Sequence, residues 1–327
     1  MTLILNSTEI KDCVKFNEEL IPIIEDAFKS LSLGNTVMPP ILRLDIQKYH
    51  GESDVKAAYI EGLDSFAVKV ASGFFNNPKF GIPSSNGLMI LLDSKTGIIK
   101  SVLLDKGYLT DVRTAIAGAI ASKYLSNPYS STVAIIGTGI QARMQLEALT
   151  LVRNIKNVNV WSRNIKNTHA YIEILSKNCE LNFQAFDKTN EVVKNADILI
   201  TTTPSKHPLI RYSALPKGIH ITAMGSDAEE KNELDPHIIK NCNVYVPDNQ
   251  AQTIVLGELH HAIKNNLIQK DMIFNDLGKI IINSELGRQN NDDITVADLT
   301  GTGVQDTAIA RYAYAIANKK KLGTIVD

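Results

Sequence analysis

The segment Val133-Ala-Ile-Ile-Gly137-Thr-Gly139-Ile140-Gln141-Ala142 constrains this chain more than any other stretch. An apolar run ends in one glycine, a second follows two residues on, and a small residue sits where a helix would open. Each small residue answers a physical demand. Gly137 permits a tight turn, Gly139 lets backbone approach a pyrophosphate, and Ala142 lets helix and strand pack closely. A helix beginning near Ile140 and Gln141 presents free N–H groups and a positive partial charge to phosphate. Gly-rich turns also join strands to helices with no ligand, so the surroundings carry the argument. They agree: apolar strand runs at 132–136, 158–161, 198–202, 220–224 and 243–246 alternate with helical stretches at 139–153 and 166–175. Such alternation predicts a parallel sheet with helices on both faces.

The rest of the chain reads differently. A helix is expected over 8–32, with Gly34 as its stop. Strand-like runs follow at 40–45, 56–60, 66–72, 88–92 and 98–104, the last two joined by an Asp93-Ser-Lys-Thr-Gly97 turn. Thr110 is the expected N-cap of an Ala-rich helix reaching Ser126, and a last helix covers 304–317 after Gly301-Thr302-Gly303. The predicted fold is α/β: a Rossmann-type doubly wound parallel sheet over 128–303, inserted in a smaller α+β domain made of 1–127 and 304–327.

Composition removes several functions. The 327 residues carry 34 Lys plus Arg against 35 Asp plus Glu, a net charge of −1 that offers no basic surplus for nucleic acid. No apolar run spans a bilayer, and the start Met1-Thr-Leu-Ile-Leu-Asn6 lacks a basic region and cleavage site, so a cytoplasmic chain is expected. Cys13, Cys179 and Cys242 are far apart, and the histidines show no metal-ligand spacing; neither a disulfide framework nor a metal is expected.

The second strand of the nucleotide region bears on coenzyme choice. An NAD-selective site places a carboxylate there for the ribose 2′-hydroxyl. This chain has Trp161-Ser162-Arg163-Asn164 instead. Arg163 suits a 2′-phosphate, or it stacks on adenine or faces solvent. NADPH is favoured over NADH.

Several segments together resemble the ornithine cyclodeaminase/μ-crystallin family over essentially the whole chain. They are Pro39-Pro-Ile-Leu-Arg43, Phe66-Ala-Val-Lys69, Thr110-Asp-Val-Arg113-Thr-Ala, the glycine fingerprint, and Ile221-Thr-Ala-Met224-Gly-Ser-Asp227-Ala-Glu-Glu-Lys231-Asn-Glu. The resemblance implies a homodimer in which the outer segments form the substrate and dimerisation domain. It also implies hydride chemistry at the carbon of an amine or imine, with a nicotinamide coenzyme. By position, Arg43, Lys69 and Arg113 resemble the cations that hold the substrate α-carboxylate, with Arg113 also near the coenzyme. Buried carboxylates need such donors. Taken alone, Lys69 reads as a strand lysine with a snorkelling stem. Asp227 resembles the catalytic acid, with Lys69 beside the reaction; taken alone, Asp227 reads as a helix cap. The resemblance further implies that Ser162, Arg163, Asn164, Thr202, Thr203, Met224, Lys231, Gly301 and Thr302 line the coenzyme.

Substrate choice turns on Lys56, which stands where ornithine cyclodeaminases place a Glu for the second amino group. A lysine there repels a cationic side chain and attracts an anionic one; the alternative is a solvent-facing lysine on an edge strand. The segments around Gly73, Gly107 and Met224 resemble the branch containing iminosuccinate reductases and the cyclodeaminase-like proteins of ectoine utilisation. The expectation is reduction of a small 2-imino acid, a dicarboxylic one favoured. Ornithine cyclodeaminase activity, with Glu61 or Asp64 replacing the missing Glu, and coenzyme-dependent binding without turnover are the competing readings.

Overall fold

A computed structural model describes residues 1–177 and 179–327. The chain opens with β1 (Thr2–Asn6), α1 (Ser7–Cys13) and α2 (Leu20–Ser32), so the stretch expected as one helix over 8–32 is two helices. Asn6 caps α1 by accepting from Thr8 and Glu9, and Phe16-Asn-Glu-Glu19 separates α1 from α2. Then come β2 (Thr36–Val37), β3 (Leu42–Ile46), β4 (Gly51–Ile60), β5 (Ser65–Phe74), β6 (Ser85–Asp93), β7 (Ile99–Leu104) and α3 (Tyr108–Leu125). The turn between β6 and β7 forms as expected, with Asp93 accepting from Lys95 and Thr96. Helix α3 starts earlier than its sequence suggested. Asp105, not Thr110, accepts at its start, taking Leu109 N–H at 2.7 Å.

The alternating region follows: β8 (Thr132–Ile136), α4 (Ile140–Thr150), β9 (Asn157–Trp161), α5 (Ile165–Ser176), β10 (Asn182–Ala185), α6 (Thr189–Val192) and β11 (Ile198–Thr201). It continues with β12 (His220–Ala223), α7 (Pro236–Asn241), β13 (Val244–Pro247), α8 (Gln250–Thr253), α9 (Glu258–Lys264), α10 (Leu277–Ile282) and β14 (Thr295–Asp298). The chain closes with α11 (Gly303–Lys320) and β15 (Thr324–Val326).

Two compact units result: residues 1–114 with 302–327, and residues 115–301. In the first, an eight-stranded sheet runs β15-β1-β7-β6-β5-β4-β2, with β3 also on β4. Buried residues alternate along its central strands: Lys56, Ala58 and Ile60 on β4, Ser65, Ala67 and Lys69 on β5, Met89 and Leu91 on β6. Helices α2 and α11 cover that face, and Ala27, Ala58, Ile60 and Val304 form part of the core between them.

In the second unit seven strands, all parallel, run β10-β9-β8-β11-β12-β14-β13. Val133 and Ile135 face one apolar cluster with α4 and α5, whereas Ala134 and Ile136 face another with α7 and α9. Both faces of the strands are therefore buried, which is why they read as apolar runs rather than alternating ones.

Candidate active site

In the second unit the glycine fingerprint takes the geometry its sequence demands. Gly137 has φ +118°, and a Cβ there would stand 2.6 Å from Thr202 Oγ1. Gly139 precedes α4 as its N-cap residue, and a Cβ there would meet nothing within 4 Å. One glycine is required by the turn and its neighbour; the other leaves open space in front of a helix start. Ala142 is fully buried, and its carbonyl accepts from Tyr171, which locks α5 onto α4. Open space in front of the start of α4 fits a dinucleotide pyrophosphate.

The remaining predicted coenzyme residues lie on the loops that leave the strands. Ser162 and Asn164 follow β9; Ser162 Oγ donates to the Asn164 carbonyl, and Asn164 caps α5. Arg163 between them is exposed. Thr202 and Thr203 leave β11. Thr202 donates to Ile136, and Thr203 gives both its N–H and its hydroxyl to Glu233 Oε1, at 2.5 and 2.7 Å. Met224 leaves β12, and its sulfur accepts from Gln145. Ile140 is half-exposed beside the glycines, whereas Gln141 accepts weakly from Gln145. Gly301 donates to Asp248. Thr302 belongs to the other unit, where it caps α11 with Gln305.

Asp227 follows the same β12 loop. Its Oδ1 is 2.7 Å from Lys231 Nζ, with the carboxylate part-exposed and the lysine nearly buried. The loop that carries it is fixed from below. Ser226 and His261 both reach the Lys231 carbonyl. Glu233 Oε2 accepts from Gly225 N–H at 2.8 Å. Glu258 accepts from the backbone of Glu233 and Leu234 and from Asn232. Burial pushes the Glu233 carboxyl up to about 7, against the pull of the hydrogen bonds it accepts. None of these supporting carboxylates stood out in the sequence, although Glu233 closes the Asp227 segment.

The first unit gathers the predicted cations. Lys56 and Lys69 stand directly opposite each other on β4 and β5, on the covered face of the sheet, and both are buried. Lys56 is therefore neither on an edge strand nor solvent-facing. Arg113 comes from α3, also buried. The group that joins them is Asp306 of α11, which the sequence reading missed. Its Oδ2 lies 2.9 Å from Lys69 Nζ and its Oδ1 2.9 Å from Arg113 Nε. A cation near a helix start needs such an anion to offset the dipole. Burial, and then the Arg113 charge, bring Lys69 down to about 7; Asp306 opposes that fall and Lys56 adds to it. Like charges opposed across two strands are costly, and Asp306 offsets part of that cost.

Arg43 stands on the same sheet face, opposite Asp54, but is engaged by three carboxylates: Asp45 at 3.0 Å, Glu52 at 2.6 Å and Asp54 at 3.6 Å. Burial opposes its charge, yet these acids outweigh burial and raise its pKa. Glu61 and Asp64, candidates to replace a missing Glu, sit at the turn after β4. Asp64 is bonded to Arg311 and paired with Lys100. Among the described residues, no group of three or more His, Cys, Asp or Glu could hold a metal, and no helix is long and apolar enough to cross a membrane.

The sequence profile of the ornithine cyclodeaminase/mu-crystallin family matches residues 1–321. The chain belongs to this family. An uncharacterised cyclodeaminase of Sinorhizobium fredii is 50% identical over 99% of this chain and 98% of its own. Δ1-pyrroline-2-carboxylate reductase of Thermococcus litoralis, solved with NADH and L-proline, superposes with a TM-score of 0.93 at 29% identity, covering 99% of this chain and 100% of that one. Iminosuccinate reductase of Paracoccus denitrificans, solved with NAD+, gives 0.87 at 27% identity, with 100% and 99% covered. An archaeal alanine dehydrogenase dimer with bound NAD gives 0.90 at 31% identity, again with 100% and 99% covered. The chain is an NAD(P)-dependent imine reductase or amino acid dehydrogenase of this family, and its coenzyme is a nicotinamide dinucleotide.

Proposed function

We propose that this enzyme reduces a small 2-imino acid to an L-amino acid with NAD(P)H, and that its substrate is a dicarboxylic imine such as iminosuccinate, giving aspartate. The observation that carries this reading is the buried pair Lys56 and Lys69, opposed on neighbouring strands and joined by Arg113. Lys69 and Arg113 suit the α-carboxylate, and Lys56 adds the charge that a second carboxylate requires. The same charge repels the second amino group of ornithine. Asp64, which might have offset it, is held by Arg311.

In this reading residues 1–127 with 304–327 bind substrate and form the dimer contact, while 128–303 hold the coenzyme. Bound reduced nicotinamide supplies a hydride. Asp227, oriented by Lys231, supplies or relays the proton that turns the imine into an iminium. Hydride adds to carbon and the proton stays on nitrogen, so C=N becomes CH–NH. The absence of a carboxylate after β9, with Arg163 exposed there, favours NADPH over NADH. Retention of Asp227 in a chain that also keeps Arg43, Lys69 and Arg113 favours turnover over binding alone.

The test is coenzyme oxidation with oxaloacetate plus ammonia, followed by absorbance. Oxidation that requires ammonia and yields aspartate supports the reading. Proline formed from ornithine, with no oxidation in the first assay, overturns it.

A further inference from the structure

The first turn of α11 is stitched to the sheet with unusual rigidity. Thr307 Oγ1 donates to the Ala58 carbonyl at 2.7 Å and accepts from Ala67 N–H at 3.0 Å, bridging β4 and β5 where they pair. A Cβ at Gly303 would stand 2.5 Å from the Ala57 carbonyl, so the helix lies directly on β4. Gln305 accepts from Thr302 N–H and from Arg113 Nη1, and reaches back to the Arg113 carbonyl. Asp306, between these anchors, is wholly buried, and its position is set by backbone packing rather than by a mobile side chain.

Its contacts are divided between the two cations that a substrate α-carboxylate would meet, one oxygen to each. Both are close ion pairs whose oxygens lack an aligned hydrogen bond. Asp306 thus ties Lys69 and Arg113 together through its two oxygens.

We propose that Asp306 is a positioning residue for catalysis, holding Lys69 and Arg113 in place so that the pair receives the substrate α-carboxylate. The inference rests on the proposed imino-acid chemistry but not on the second carboxylate. The charged groups acting on Lys69 are Lys56 from β4, Arg113 from α3 and Asp306 from α11, while β6 places the apolar Met89 beside it. Of those three, Asp306 alone favours the protonated amine. Its removal leaves burial and the two cations unopposed, so Lys69 falls further and carboxylate binding depends more strongly on acid than in wild type.

The experiment compares wild type, Asp306→Asn and Asp306→Glu in coenzyme oxidation from about pH 6 to about pH 9. Each is run with oxaloacetate plus ammonia and with pyruvate plus ammonia. The ratio of variant to wild-type KM at each pH cancels the pH dependence of imine formation. Asp306→Asn is expected to raise KM about tenfold or more at neutral pH and to recover towards acid, with coenzyme Kd unchanged. Asp306→Glu is expected to restore a profile like that of wild type. A KM ratio for Asp306→Asn that is flat with pH overturns the proposal. If that variant does not fold, Asp306→Glu decides, and an acid-shifted profile there overturns it. A wild-type preference for the pyruvate imine counts against the dicarboxylic substrate and leaves the Asp306 comparison intact.

Discussion

At the scale of single residues, the chemistry depends on where charge is buried. Lys56, Lys69, Arg113 and Asp306 come from four different elements, yet act on one another within one covered sheet face. The two lysines were legible through the resemblance of their segments to the family, not from local pattern, which alone reads them as ordinary strand lysines. Asp306 was not, because nothing local marks an acid in a buried first helical turn as the partner of a distant strand lysine. Arg43 shows a limit of another kind: its three carboxylate partners come from tertiary pairing of β3 with β4, which no local pattern marks. For Asp227, the expected outcome of Asp227→Asn is a fall in kcat of about 10²–10⁴-fold with coenzyme Kd retained. Turnover measured beside coenzyme titration checks it, and unchanged turnover removes Asp227 as the proton source.

At the scale of elements, the loops after β11 and β12 are joined through one carboxylate. Glu233 takes Thr203 with one oxygen and Gly225 with the other, and a Cβ at Gly225 would stand 2.1 Å from the Thr203 carbonyl. Because burial raises Glu233 from 4.5 to about 7, its contribution to stability is full below its unfolded pKa and is lost as pH rises through the folded one. Glu233→Gln places an amide against Gly225 N–H and should cost about 1–3 kcal/mol. It should also flatten the fall of Tm that Glu233 produces between about pH 5 and about pH 8. Thermal melts across that range check both; an unchanged slope would mean that Glu233 does not titrate there. The β8 turn was legible because strand, turn and helix are contiguous. Strand β14 was missed: it is short, and it inserts between β12 and β13 out of chain order. The division of the first expected helix into α1 and α2 was missed too, because its apolar spacing continues across Phe16-Asn-Glu-Glu19.

At the scale of the molecule, the chain forms two compact units, residues 1–114 with 302–327 and residues 115–301. The first unit also exposes Val37, Leu42, Leu44 and Phe80, which are 66%, 55%, 57% and 73% accessible. Apolar side chains grouped so on β2, β3 and their neighbourhood suit burial by a second copy of the chain. A Leu42→Glu, Leu44→Glu variant should sediment as a monomer where the wild type sediments as a dimer; an unchanged sedimentation coefficient would place the contact elsewhere. Fold class could be read from the order of motifs, whereas the substrate rests on one charge. The most direct test of that charge is the ratio of kcat/KM for the oxaloacetate imine over the pyruvate imine, in wild type and in Lys56→Met. A wild-type ratio above one that falls about tenfold or more in the variant is the predicted result. A ratio that the substitution leaves unchanged would contradict the reading of Lys56 as the residue that selects a second carboxylate.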